Sequence, residues 1–312
     1  MAASLLFLLY FLWTVSFPLG KLAVSLADPI FFTGIRMGGA GLILLLYAMM
    51  TRRPFPTDRK SLIGIFLIAL GPIYLTNILE FWSLSRIESG KVCFIYSLCP
   101  FLTSFLSFLH FKEKLTPKKC LGMGIGFLGI LPAFFQGPGP SFSDLFTVRG
   151  PELSIIIASI SSVYGLVLMR KLVRSQISIS VINGTTMAVG SLLCFLHSAV
   201  TYHGISPVLP GKMAEVLSLA GILILLSNVV CYNLYGYLLK RFTATLVSFA
   251  GLLSPFFAAL HGYFLLGEKP SWLLLSSMLF IGTGLWMVYQ EELRQGYILR
   301  RDDGKPVQTI DK

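Results

Sequence analysis

PFLTSFLSFLHFKEK at residues 100–114 and PFFAALHGYFLLGEK at residues 255–269 are two copies of one pattern, 155 positions apart. Pro100 is followed thirteen positions later by Glu113, and Pro255 by Glu268. The same offset matches Arg86 to Arg241, Phe94 to Phe249, Leu98 to Leu253, Phe101 to Phe256, Lys114 to Lys269 and Gly129 to Gly284. Both copies lie in strongly apolar sequence. A duplicated block of membrane helices marks many secondary transporters. Transport is therefore the first expectation and catalysis the second.

Composition points the same way. Of the 312 residues, 55% are hydrophobic and 12% charged, where a soluble domain carries about 25% charge. The mean hydropathy is +0.77. The apolar residues come in runs of about twenty, the length that spans a bilayer core as a helix. The formal net charge of +11 would suggest nucleic acid in a soluble protein. Here the basic residues fall in short tracts between apolar runs, so no nucleic-acid face is expected and the lipid bilayer is the partner. The five cysteines (Cys93, Cys99, Cys120, Cys194, Cys231) are odd in number and form no C-x-x-C. Neither a disulfide framework nor a metal site is expected. The N-terminus is apolar from Ala2 without a basic region before it, and reads as a first transmembrane helix, not a cleaved signal.

Ten spans are expected, at about 3–22, 29–50, 62–84, 91–110, 118–136, 151–170, 177–200, 214–238, 244–266 and 271–290. The connection from Gln136 through Gly137-Pro138-Gly139-Pro140 to Gly150 divides five from five, since Gly and Pro stop helices. The organisation expected is a first five-helix repeat at 1–136, a connecting loop at 137–150, a second repeat at 151–290 and a polar cytoplasmic tail at 291–312. With the N-terminus inside, the inner segments hold Arg52, Arg53, Arg59, Lys60, Lys112, Lys114, Lys118, Lys119, Arg170, Lys171, Arg174, Lys240, Arg241 and the basic residues of the tail. Lys21, Arg36, Arg86, Lys91, Arg149, Lys212 and Lys269 remain for the outer side and the membrane interior. This bias puts both termini in the cytoplasm. An odd number of spans per half makes the halves an inverted repeat, with a binding site near the midplane between them. The fold expected is an all-α polytopic membrane protein of ten transmembrane helices in two inverted five-helix repeats.

Several motifs are decoys. Gly124-Ile125-Gly126-Phe127-Leu128-Gly129 fits G-x-G-x-x-G, but a dinucleotide fold needs a strand before it. These glycines lie inside a span, and Gly122 and Gly126 have the small-xxx-small spacing of close helix packing. The sequon Asn183-Gly184-Thr185 falls inside span seven. His110, His197, His203 and His261 are scattered, and no nucleophile elbow is present. No cofactor is implied and an enzyme is not expected.

Pro100 and Pro255 sit mid-span, where proline removes a backbone donor and kinks a helix. They are static kinks or hinges for alternating access. Glu113 and Glu268 end their spans and read as helix-end anchors. In span three, Tyr74, Asn77, Glu80 and Phe81 fall within about 120° of one face at 100° per residue. Glu80 is two-thirds along this apolar span and must face protein or a water-filled cavity. Two readings stay open for it: an ion pair with Arg36 or Arg86, and contact with a substrate or proton. In span eight Asn228, Tyr232 and Tyr235 share one face. The offset pairs Asn77 with Tyr232 and Glu80 with Tyr235, so both faces are expected to line one central cavity.

The Pro100…Glu113…Gly129 block, its repeat Pro255…Glu268…Gly284, Trp13 in span one and Arg36 in span two resemble the ten-helix EamA-type carriers of the drug/metabolite transporter superfamily. The resemblance covers about residues 3–290. It implies a carrier in the cell (inner) membrane with a cavity lined by spans one, three, four, six, eight and nine. Substrate-binding residues expected there are Trp13, Tyr74, Asn77, Glu80, Tyr96, Tyr164, Asn228, Tyr232 and Tyr235. Glu80 departs from the family, in which that stretch is usually neutral. A buried anion among aromatic rings suits a cationic or zwitterionic small-molecule solute with a flat ring. Some family members of intracellular bacteria carry S-adenosylmethionine and S-adenosylhomocysteine, and that cargo fits. The alternative is a proton-coupled exporter of amino acids or other metabolites, with Glu80 as the titrating group.

Overall fold

A computed structural model describes residues 2–84, 86–87, 92, 95–134, 148–202, 207–254, 256–257, 260–261 and 272–297. Among them the regular structure is helical, apart from one isolated antiparallel bridge between Ala27 and Val208. The elements in chain order are α1 (Ala2–Thr14), α2 (Ser16–Val24), α3 (Pro29–Met50), α4 (Arg59–Ile68), the π-helix π1 (Ala69–Leu75) and α5 (Thr76–Leu84). Then come α6 (Cys99–Phe111), α7 (Pro117–Phe134), α8 (Gly150–Arg174), α9 (Ile179–Tyr202) and α10 (Met213–Leu223). The π-helix π2 (Ile224–Cys231), α11 (Tyr232–Arg241), α12 (Ala244–Ala250), a 3₁₀ turn (Gly251–Leu253) and α13 (Trp272–Arg294) complete the described elements. Among the described residues five stretches, Pro29–Met50, Arg59–Glu80, Gly150–Arg174, Ile179–Thr201 and Met213–Arg241, are long and apolar enough to cross a bilayer. Their outer faces carry Leu42, Leu46, Leu192, Leu196 and Leu225, all exposed. That much uncovered apolar surface belongs in lipid.

Local chemistry sets the helix boundaries. Asp28 accepts the backbone N–H of Phe31 at 2.9 Å with Pro29 at the first position of α3. Asp58 accepts that of Ser61 at 2.8 Å, which holds its carboxyl below the usual range. Thr243 accepts that of Leu246 at 3.0 Å. Each satisfies an orphan donor of a helix start. Lys112, left-handed at φ 56, ends α6.

The 155-residue offset reappears in the backbone. π1 begins at Ala69 and π2 at Ile224, each continuing an α-helix and followed by another. Arg86 lies over the Trp82 ring at 4.1 Å, and its match Arg241 over Tyr237 at 4.9 Å. Equivalent helices also pack on each other. Moving down α3 from Gly34 through Gly38 to Gly41, the neighbours on α9 run backwards from Phe195 through Ser191 to Ala188. Along α7, Gly122 faces Met287 and Gly126 faces Gly284 of α13. Both pairs are therefore antiparallel. The approach depends on missing side chains: a Cβ on Gly284 would stand 2.4 Å from the Gly122 carbonyl oxygen, and one on Gly41 would stand 2.8 Å from the Ala188 nitrogen. Of the G-x-G-x-x-G glycines, Gly126 is thus a contact point between helices, as is Gly122 one turn before it. Asn183 is buried within α9, which removes the sequon from glycosylation.

Two boundaries differ from expectation. Helix α13 continues to Arg294, past the start at 291 expected for the tail, because Glu291 and Glu292 are buried. Pro100 lies in the first turn of α6, just after the turn at Ser97–Leu98, and not inside a continuous helix. Its missing N–H costs nothing there. Pro255, Glu268, most of the connecting loop and the tail beyond residue 297 lie outside the described residues.

Helix contacts through glycine predict opposite responses to one methyl group. Gly284→Ala forces backbone apart and lowers the thermal unfolding temperature of the purified protein, at a cost of about 1–3 kcal/mol. Gly124→Ala, with nothing within 4 Å of the added Cβ, leaves that temperature unchanged or raises it through better helix propensity.

Candidate functional site

Arg36 on α3 and Glu80 on α5 are charged groups inside apolar spans, where each needs a partner or water. Glu80 Oε2 accepts a hydrogen bond from the Tyr96 hydroxyl at 2.8 Å. Arg36 Nη2 donates to Asn77 Oδ1 at 3.2 Å. The Asn77 amide in turn donates to the carbonyls of Ile73 at 2.8 Å and Pro72 at 3.2 Å. Those carbonyls belong to π1, whose widened turn leaves acceptors without regular ladder partners. One asparagine thereby repairs the helix and aims the guanidinium. The Arg36 charge also interacts with Glu80 and with Tyr232, which places the carboxylate, the guanidinium and the phenol in one neighbourhood.

Aromatic rings border this polar centre. Trp13 of α1 lies 5.2 Å from the Tyr232 ring and 5.5 Å from that of Tyr235, edge-on at 86°. Tyr10 stacks on Trp13 at 6.4 Å and donates its hydroxyl to the Val247 carbonyl at 2.7 Å. These are ordinary aromatic pair distances. Asn228 in π2 is fully buried; its amide donates to Met37 Sδ at 3.0 Å, and its Oδ1 has no partner among the described residues.

The structure gathers Trp13, Asn77, Glu80, Tyr96, Tyr232 and Tyr235, with Asn228 on the same stretch as Tyr232. Two expected members go elsewhere. Tyr74 sits in π1, and its hydroxyl meets His197 Nδ1 of α9 at 3.2 Å. The face drawn at 100° per residue fails because a widened turn rotates the residues before it relative to Asn77 and Glu80. Tyr164 falls in the exposed stripe Leu153, Ile157, Ile160 of α8 and packs edge-on against His110 at 5.9 Å. Helical phase turns it away from the interior. Tyr10 and His197 were not anticipated from sequence; Tyr10 is one turn before Trp13 and legible by spacing. Among the described residues no group of acidic, His and Cys side chains could hold a metal ion.

A second polar cluster lies where the ends of several helices meet. Arg170 of α8 pairs with Glu113 after α6, both buried. Lys119 of α7 pairs with Glu292 of α13 at 2.7 Å, also both buried. Glu292 accepts the Thr243 hydroxyl before α12 at 2.5 Å, and Glu291 accepts that of Thr116 at 3.0 Å. The Arg170 guanidinium lies over the Phe111 ring at 4.6 Å. Glu113, expected as an interface anchor, is instead half of a buried ion pair.

Residues 1–135 and 150–290 match the EamA-like transporter family, and the chain belongs to that family. It is a multi-pass membrane transporter and not an enzyme. It is 38% identical over 302 residues, 96% of this chain and 95% of the relative, to the "S-adenosylmethionine/S-adenosylhomocysteine transporter" of Chlamydia muridarum (strain MoPn / Nigg). Likewise it is 38% identical to the protein of that name from Chlamydia trachomatis serovar L2, covering 96% of this chain and 92% of the relative. A solved crystal structure with 15% identity superposes at a TM-score of 0.75 over 94% of this chain and 98% of that one, a likeness of fold.

The buried ion pairs predict strong coupling in stability. Glu113→Ala and Arg170→Ala each cost about 3–5 kcal/mol by stranding the other charge. The double variant costs clearly less than the two together in a double-mutant cycle read by thermal unfolding.

Proposed function

We propose that this chain carries S-adenosylmethionine and S-adenosylhomocysteine across the cell (inner) membrane, by alternating access between two inverted five-helix halves. The observation that supports the cargo is Glu80, held by Tyr96 and within electrostatic reach of Tyr232, which with Trp13 and Tyr235 forms a cage of rings. A carboxylate among aromatic rings meets a molecule with positive charge at one end and a flat adenine at the other. The relatives named for this cargo in Chlamydia, similar over nearly the whole chain, support the same choice.

Ten helices in two inverted halves are supported by the antiparallel packing of α3 with α9 and of α7 with α13, and by π1 and π2 standing at the same offset as the sequence repeat. The distribution of basic residues supports both termini in the cytoplasm. The ion pairs Glu113–Arg170 and Lys119–Glu292 then lie at the cytoplasmic end and hold it closed. The breaks before Pro100 and Pro255 are the hinges: the turn at Ser97–Leu98 and the 3₁₀ turn at Gly251–Leu253 occupy matching places in the repeat. In this reading Trp13, Tyr232 and Tyr235 stack on the solute, Glu80 meets its positive charge, Asn228 Oδ1 accepts a hydrogen bond, and Asn77 acts by positioning Arg36.

Counterflow in proteoliposomes tests the proposal. Labelled S-adenosylmethionine should enter vesicles preloaded with S-adenosylhomocysteine and be competed by it, but not by threonine at the same concentration. Glu80→Gln should weaken the apparent affinity roughly 10- to 100-fold, the worth of a charge-assisted contact, while Tyr164→Phe stays at the parent value. Absence of adenosyl counterflow, or a Glu80→Gln protein that transports normally, contradicts it.

A further inference from the structure

The two cargoes share an adenosine and an α-amino-acid head, and they differ at sulfur, a sulfonium in one and a neutral thioether in the other. A carrier of both gains most by holding what they share. The head is a zwitterion, with ammonium and carboxylate on one carbon. It calls for one cationic and one anionic group a short distance apart, and no more than that.

The span interior offers that pair. Asn77 and Glu80 are three residues apart on α5, so their side chains rise from neighbouring points on one helix face, about 5–6 Å between Cβ atoms. Arg36 is bound to Asn77. The guanidinium thus reaches the same turn as the Glu80 carboxylate, and the two charges interact. Yet they form no direct ion pair: Glu80 accepts from Tyr96 and Arg36 donates to an uncharged amide. A guanidinium has five N–H donors. Among the described residues Arg36 uses one, and its buried Nε–H has no partner. An arginine in a membrane interior with a neutral partner is expensive. An arginine pre-aimed by Asn77, with its fork still unfilled, is built for a planar anion.

We propose that Arg36, positioned by Asn77, is the subsite for the α-carboxylate of the cargo, with Glu80 taking the α-ammonium on the adjacent turn. This inference rests on the adenosyl-amino-acid reading above and names which part of that molecule sits where. The aromatic cage is then left to the sulfur and the adenine. A sulfonium gains cation–π attraction there and a thioether packs as an apolar group, so one site tolerates both.

The test is competition of S-adenosylmethionine counterflow by decarboxylated S-adenosylmethionine, which differs by the carboxylate alone. Unsubstituted protein should prefer the carboxylated compound by roughly 10- to 100-fold. Arg36→Gln should reduce that preference to less than about threefold by weakening only the carboxylated ligand, and Arg36→Lys should restore part of it. The comparison on the unsubstituted protein needs no variant to fold. If both compounds compete equally there, or if Arg36→Gln weakens both by the same factor, the carboxylate subsite is overturned and the carrier reading stands. If neither adenosyl compound competes, both readings fall together.

Discussion

A bilayer interior has no water to spare for a charge or a backbone carbonyl, and the centre of this protein is arranged around that constraint. Arg36, Asn77, Glu80 and Tyr96 are linked by it into one neighbourhood. The π-helical turn frees carbonyls, Asn77 covers them, and the same amide accepts from Arg36. Proline at position 72 and the close approach of Gly165, where a Cβ would stand 2.0 Å from the Pro72 ring, fix the place of that turn against α8. The polar centre is therefore tied to backbone geometry, and its orientation follows from the packing of α3, α5 and α8 and not from loops.

The second half repeats the frame and changes its content. π2 stands where π1 stands, but it carries no proline, and Asn228 donates to a methionine sulfur instead of bridging to an arginine. Where the first half places Asn77 and Glu80, the second places Tyr232 and Tyr235. One half thus contributes charge and the other contributes rings, and Trp13 joins the rings from α1. In the proposed mechanism duplication supplies two helix bundles that rock against each other, and divergence at these positions supplies the chemistry between them.

Much of this was legible in the residues. Apolar runs and the repeat from Pro100 and Pro255 identify a helical membrane protein and a carrier family, because length and hydropathy decide those questions. The aromatic face of span eight and the isolation of Glu80 are readable from helical periodicity. The bond of Tyr74 to His197 is not foreseen by the same periodicity, since a π turn leaves no compositional mark beyond Pro72. Tyr164 is implied by the family resemblance and not by its own helical phase, and it lies on the exposed stripe of α8. The ion pairs of Glu113 with Arg170 and Lys119 with Glu292 are invisible in sequence, where charges at span ends read as solvated. Only the meeting of α6, α7, α8 and α13 buries them.

The central claim is that the cargo rests on the rings beside Glu80, and Trp13 reports on it directly. The chain has four tryptophans; replacing Trp82, Trp272 and Trp286 by phenylalanine leaves Trp13 as the sole emitter. Titration with S-adenosylhomocysteine, alongside equilibrium dialysis, should give a saturable change in Trp13 emission with the same midpoint as binding, and Glu80→Gln should raise both midpoints together by roughly 10- to 100-fold. Binding by dialysis with no change in Trp13 emission would place the cargo elsewhere and contradict the account.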